Sequence, residues 1–178
     1  MIITQDLQQK AAQIKVIATD VDGVLTDGFV FIRDDHEEPF GKFNILDGFA
    51  INIANACGIH IVVISGRKSL ATEARCKKLG IEMAYTGVLD KKSKLLEVAT
   101  LLKTDLSAIA FIGDDLIDLP ALGLSGLTCA PANAVDEVKA RVDYICNKSG
   151  GYGVLREVVE LVVKANGSYT DFLAKYLF

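Results

Sequence analysis

Tryptophan is absent from the 178 residues, histidine and methionine occur twice each, and proline three times. His36 falls in an acidic stretch that reads as an exposed turn, and His60 opens an apolar run. Neither reads as a ligand or a base, which removes Ser-His and Cys-His catalysis from the candidates. The four cysteines (Cys57, Cys76, Cys129, Cys146) include no Cys-x-x-Cys pair. That pattern sets aside zinc and disulfides in favour of reduced thiols in a cytoplasmic protein. Positive charge is short as well: 19 Lys and Arg stand against 23 Asp and Glu, for a net charge of -4. A nucleic-acid surface is not expected from that balance. No apolar run approaches the roughly 18 residues of a membrane span. Residues 1–6 lack the basic region and apolar core of a secretory leader, so neither a membrane nor an export route is expected.

What is present is an apolar share of 51% over a length suited to one domain spanning 1–178. Residues 4–13 read as a helix, and the β-branched run at 14–18 reads as a strand buried on both faces. From there apolar runs at 59–64, 82–85, 108–112, 127–130 and 143–146 alternate with helical patterns. The helices are expected at 47–57, 69–79, 91–102, from about 118, at 135–141 and from 153 to about 166. Alternation of this kind means βαβ units and a three-layer, doubly wound α/β fold with a parallel sheet. Two segments stand outside it. Residues 29–43, with Phe29, Phe31, Phe40 and Phe43, read as a β-hairpin excursion covered by another subunit or folded onto its own core. Residues 168–178 read as a C-terminal tail.

The first strand ends in Asp20-Val21-Asp22-Gly23. In open α/β sheets ligands bind beyond the carboxyl ends of the strands. Two carboxylates at such an end repel each other unless a proton or cation lies between them, and a hard divalent metal such as Mg²⁺ meets that need. A polar turn is the plainer reading of these residues alone. An EF-hand loop is excluded, because Gly23 falls at its fourth position and Phe31 at its twelfth. Two further strand ends carry polar punctuation, Ser65-Gly66-Arg67 and Gly113-Asp114-Asp115, and Lys91 opens the helix between them.

Asp20-x-Asp22-Gly23-Val24-Leu25-Thr26, Ser65, Lys91 and Gly113-Asp114-Asp115-x-x-Asp118 together resemble the four motifs of the haloacid dehalogenase superfamily. The resemblance implies a HAD-like Rossmannoid fold. It assigns Asp20 as nucleophile and Asp22 as general acid and base, with Ser65 and Lys91 on the transferring phosphoryl group. Mg²⁺ is implied on Asp20, the Asp22 carbonyl and Asp114, with Asp115 and Asp118 behind them; Asp118 reads equally as a helix cap. Neither gap between motifs is long enough for a cap domain.

Within the capless branch the chain resembles the family of 3-deoxy-D-manno-octulosonate 8-phosphate (KDO 8-phosphate) phosphatases. The added residues are Phe43-Asn44-x-x-Asp47-Gly48, Ser65-Gly66-Arg67, Arg75-Cys76-x-x-Leu79-Gly80 and Gly150-Gly151-x-Gly153-x-x-Arg156-Glu157. That implies an acidic sugar phosphate substrate, a homotetramer and a place in lipopolysaccharide inner-core synthesis. By the same resemblance Thr26, Asn44, Asp47, Gly48, Gly66, Arg67 and Arg75 are expected on the substrate. Leu46 and Asn52 depart from the family pattern, which carries Arg at both. The departure keeps a nonulosonate 9-phosphate as an alternative substrate and leaves Arg67 and Arg75 as carboxylate-binding candidates, although Arg75 alone reads as a solvated helix face. A receiver-like signalling domain carries its phosphoacceptor on a later strand. A silent regulatory domain is at odds with intact Asp20, Asp22, Lys91 and Asp114.

Overall fold

The computed structural model describes residues 4–32, 34 and 40–177. Six strands form one all-parallel sheet: β1 (Val16–Thr19), β2 (His60–Ile64), β3 (Met83–Tyr85), β4 (Ile109–Ile112), β5 (Leu127–Ala130) and β6 (Tyr144–Ile145). Their spatial order is β3-β2-β1-β4-β5-β6. Chain direction across the sheet therefore reverses beside β1, which pairs Val16 with both His60 and Ile109. A reversal of this kind opens a crevice at the carboxyl ends of the two strands concerned. Those strands are β1 and β4.

Strand residues alternate between two apolar layers, as the period of two requires. Ile17, Val63 and Ile112 face α1 (Gln5–Ala12), α2 (Ile45–Ala56) and α7 (Val154–Ala165). Val16, Ala18, Val62 and Phe111 face α4 (Lys91–Leu101) and α5 (Leu119–Leu122), with α6 (Asp136–Lys139) beside them. All seven of these strand residues are essentially inaccessible, which is why the sequence shows unbroken apolar runs there. α3 (Leu70–Lys78) adds Cys76 to the first layer. The four cysteines are unpaired thiols, and burial pushes the Cys76 thiol up to about 11.

Two expectations change. Within the expected C-terminal tail, residues 169–177 form α8 (Tyr169–Leu177), whose Phe172 is buried in the first layer. The Phe172 ring meets Phe49 edge-on at 6.4 Å, and Tyr176 adds a second edge contact to Phe49 at 6.0 Å. Apolar spacing along α8 drives it onto its own chain. The excursion at 29–43 brings the Phe31 and Phe40 rings to 5.0 Å, yet residues 29–32 and 40–43 carry no strand. Its expected turn, including His36, lies outside the described residues.

Candidate active site

Three residues at the site are still held by the sheet's own ladder. The Asp20 N–H donates to the Ile112 carbonyl (2.9 Å), Ser65 to Tyr85 (2.8 Å) and Gly113 to Cys129 (3.1 Å). The next residues leave the sheet at one edge, and so the motifs meet there. Gly23 follows with φ +84°, and a Cβ on it would lie 2.0 Å from an Asp114 carboxylate oxygen. Glycine is required twice over, by its backbone and by the acid packed against it.

At the centre lies Lys91. Its ammonium is within 2.9 Å of Asp20 and 2.6 Å of Asp118, with only 2% of the residue exposed. Burial alone pushes this lysine down, but the two carboxylates together outweigh it and hold its pKa above the ordinary value. Asp118 also accepts from the Asp114 N–H (2.9 Å) and the Asp115 N–H (3.3 Å). Asp118 thus anchors Lys91 and completes a capping box on the Leu116–Asp118 turn, while its side chain makes no cap bond to α5. Asp115 is exposed and caps the same short turn, accepting from the Leu116 N–H and sharing a reciprocal capping box with Asp118.

Carboxylate oxygens of Asp20, Asp114 and Asp118 lie within 4.8 Å of one another. Burial, then the charge of Asp118, raises Asp20 to about 6. Burial, then the charges of Asp20 and Asp118, raises Asp114 to about 7. Such repulsion is what a cation relieves, and an all-oxygen set suits a hard one. Because Asp118 spends both oxygens on Lys91 and two backbone amides, Asp20 and Asp114 are the carboxylates that fit. The Asp22 carbonyl accepts no hydrogen bond among the described residues.

Asp22 does not turn its side chain to that cluster. The Arg67 guanidinium grips it through Nε (2.9 Å) and Nη2 (2.5 Å), joining the ends of β1 and β2. Ser65 is buried and its hydroxyl donates to the Arg67 carbonyl at 3.2 Å, shaping the same turn. Gly66 has room around it, with Ile117 and the Val88 carbonyl nearest and the Lys91 stem just beyond.

Four of the residues expected on a substrate have polar groups engaged elsewhere, although the Asp47 Oδ2 is buried without a partner. The Thr26 hydroxyl ties its own loop together, accepting weakly from the Gly23 and Gly28 amides at 3.4 and 3.3 Å. Asn44 caps α2 by accepting from the Leu46 N–H (2.9 Å) and donates to the Gly151 carbonyl (3.0 Å). Asp47 is 4% exposed and accepts from the Arg156 N–H at 3.0 Å, capping α7, whose own N-cap, Gly153, has no side chain. Burial raises Asp47 to about 6. Arg75 is half-buried, not solvated: it donates to the Asn44 carbonyl (3.3 Å) and lies 6.0 Å from the Phe43 ring centre. Gly48 makes room for it, since a Cβ there would sit 2.6 Å from the guanidinium. Leu46 is 52% exposed near Gly153, and Asn52 lies on the exposed face of α2. Arg156 pairs with Glu160 and covers the Phe49 ring.

Sequence reading missed the role of Gly150 and Gly151. A Cβ on Gly150 would be 1.8 Å from the Gly23 carbonyl, and the Gly151 N–H donates to the Val24 carbonyl at 2.9 Å. Gly150 also donates to the Asn133 side chain at 2.8 Å. Paired glycines before a helix were the available signal.

A buried lysine between two acids at the switch point of a parallel sheet, with a third acid beside it, defines a haloacid dehalogenase-like hydrolase. Residues 85–158 match the sequence profile of that class, described as haloacid dehalogenase-like hydrolase. The 3-deoxy-D-manno-octulosonate 8-phosphate phosphatase of Escherichia coli (strain B / BL21-DE3) is 36% identical over 169 residues, 95% of this chain and 89% of its own. The enzyme of that name from Moraxella catarrhalis, solved with magnesium ion, phosphate ion and a KDO molecule, superposes with TM-score 0.91. It is 37% identical, over 95% of this chain and 97% of the other. A probable YrbI family phosphatase from Pseudomonas syringae pv. phaseolica 1448a gives TM-score 0.95 at 39% identity, over 98% and 99% of the two chains. The chain belongs to the family of 3-deoxy-D-manno-octulosonate 8-phosphate phosphatases.

Proposed function

We propose that this protein is a magnesium-dependent phosphomonoesterase that hydrolyses KDO 8-phosphate to KDO and phosphate. The observation that carries the reaction is the Lys91 ammonium held 2.9 Å from Asp20 at the end of the central strand. The names of the relatives supply the sugar.

In the first half-reaction an Asp20 oxygen attacks phosphorus as the ester P–O bond breaks, and Asp22 gives its proton to the departing alkoxide. In the second, Asp22 takes a proton from water as the water oxygen attacks phosphorus, and the bond from phosphorus to Asp20 breaks. Lys91 faces the charge that builds on the equatorial oxygens, and the Ser65 hydroxyl joins it by exchanging the Arg67 carbonyl for a phosphoryl oxygen. To act, Asp22 must leave Arg67, and a substrate carboxylate is a matching replacement for it, since a guanidinium binds carboxylates through two parallel hydrogen bonds. Mg²⁺ fits Asp20, Asp114 and the Asp22 carbonyl, where it supplies positive charge that lets an anionic ester approach an anionic nucleophile.

Around this edge Phe29, Ile32, Phe40 and Leu89 are exposed, Phe29 by 76%. Apolar side chains exposed to this extent support an assembly in which neighbours cover the site, and the family resemblance makes that assembly a homotetramer. No helix among the described residues is long and apolar enough to cross a membrane. With four unpaired thiols, that is consistent with a cytoplasmic enzyme.

Phosphate release with Mg²⁺ from KDO 8-phosphate, a nonulosonate 9-phosphate and 4-nitrophenyl phosphate tests the reading. Preference for the first supports it. Preference for the nine-carbon acid assigns Leu46 and Asn52 to a change of substrate, and release from none of the three overturns the reaction.

A further inference from the structure

We propose that Asn44 is a positioning residue for the nucleophile: through Gly151 it holds the loop at residues 21–27 in register with Asp20 and Asp114. The inference rests on the phosphomonoesterase reading for its kinetic readout only. Its basis is a short chain of contacts. The Asn44 amide nitrogen donates to the Gly151 carbonyl at 3.0 Å, and the same residue's N–H donates onward from Gly151 to the Val24 carbonyl at 2.9 Å. Val24 lies next to Gly23, whose backbone carries the Asp114 carboxylate against it.

The orientation of the Asn44 amide is fixed, since its oxygen accepts from the Leu46 N–H. Its nitrogen is thereby committed to Gly151. The glycine pair cannot retreat into open space either, because Gly150 is wedged against the Gly23 and Thr26 carbonyls and tied to Asn133. Asp47 closes the frame one turn along α2 by accepting from the Arg156 N–H at the start of α7. The first turn of α2 thus grips the Gly150-Gly151 segment from behind, and that segment grips the loop that follows the nucleophile. Neither side chain has to touch a substrate to affect turnover.

Two substitutions separate this role from its competitors. Asn44→Asp keeps the cap on α2, adds a charge favourable at a helix N-terminus, and removes the donor to Gly151. Asn44→Ser also keeps a cap but is too short for Gly151. Both are compared with the unaltered protein in the presence of Mg²⁺ on KDO 8-phosphate and on 4-nitrophenyl phosphate, which has no sugar. The expected result is a fall in kcat of about tenfold on both esters, the size typical of residues that orient a reacting group. KM stays within about twofold, and amides at 21–28 and 149–153 exchange faster. The exchange measurement needs no turnover, so it judges the tether even if the substrate reading fails. A rise in KM confined to the sugar phosphate would mark Asn44 as a substrate contact and overturn the proposal. So would unchanged kcat and exchange with a shift in melting temperature alone, the mark of a plain helix cap.

Discussion

The nucleophile is the residue with least freedom to change. Asp20→Asn removes the attacking oxygen's charge while keeping shape and hydrogen bonding. Turnover is expected to fall by at least about a thousandfold with the melting temperature unchanged or raised, measured by phosphate release and thermal unfolding. At Asp47 the expectation concerns stability. Its folded pKa of about 6 lies above the ordinary carboxylate value of 3.8, so its contribution is fully present below 3.8 and is lost as pH rises through about 6. Asp47→Asn keeps the acceptor for Arg156 without the buried charge. It is expected to raise the melting temperature by a few degrees at pH 8 and to leave it unchanged at pH 4. The acids at the strand ends were legible in the sequence because strand, acid pair and glycine occur in a fixed order. The inward turn of Thr26, Asn44 and Asp47 was not. Hydroxyls, amides and carboxylates that cap helices and close turns are the same groups that bind sugars, and only the partner three-dimensionally opposite decides between the two.

Among the elements, β1 and β4 supply the charge pair and α8 supplies cover. Asp20 and Asp114 rise to about 6 and 7 because burial and neighbouring charge oppose ionisation. Mg²⁺ is expected to raise the melting temperature by several degrees at pH 8, an effect that fades as pH falls through this range and is lost in Asp114→Asn. Thermal scans with and without the metal read this directly. For α8, Phe172→Ala empties a buried ring site against Phe49. The cost is about 3 kcal/mol, or roughly 6–12 °C in melting temperature for a chain of this size. Strand and helix positions were readable from periodicity, including the sharp stop at Thr19 and Ile112. α8 was not: its apolar stripe is short, and what holds it is an aromatic contact with Phe49, more than a hundred residues earlier in the chain.

For the molecule as a whole, the exposed ring of Phe29, Ile32 and Phe40 sets the expectation of an assembly. Phe29→Ser with Ile32→Ser is expected to shift the mass in light scattering towards the single chain; an unchanged mass would move the interface elsewhere. The sheet order bears on how the chain is made. β1 precedes both of its neighbours in the chain, so one of its edges waits for β2 and the other for β4, whose Ile109 faces Val16. The loop beyond it waits longer still, for Gly150 and Gly151. At roughly 5–20 residues per second, the nascent chain spends several seconds with its central strand bare on at least one side. During that interval the free edge of β1 is open to pairing with other chains, and the loop after Asp20 takes its final place only once Gly150 and Gly151 have been made.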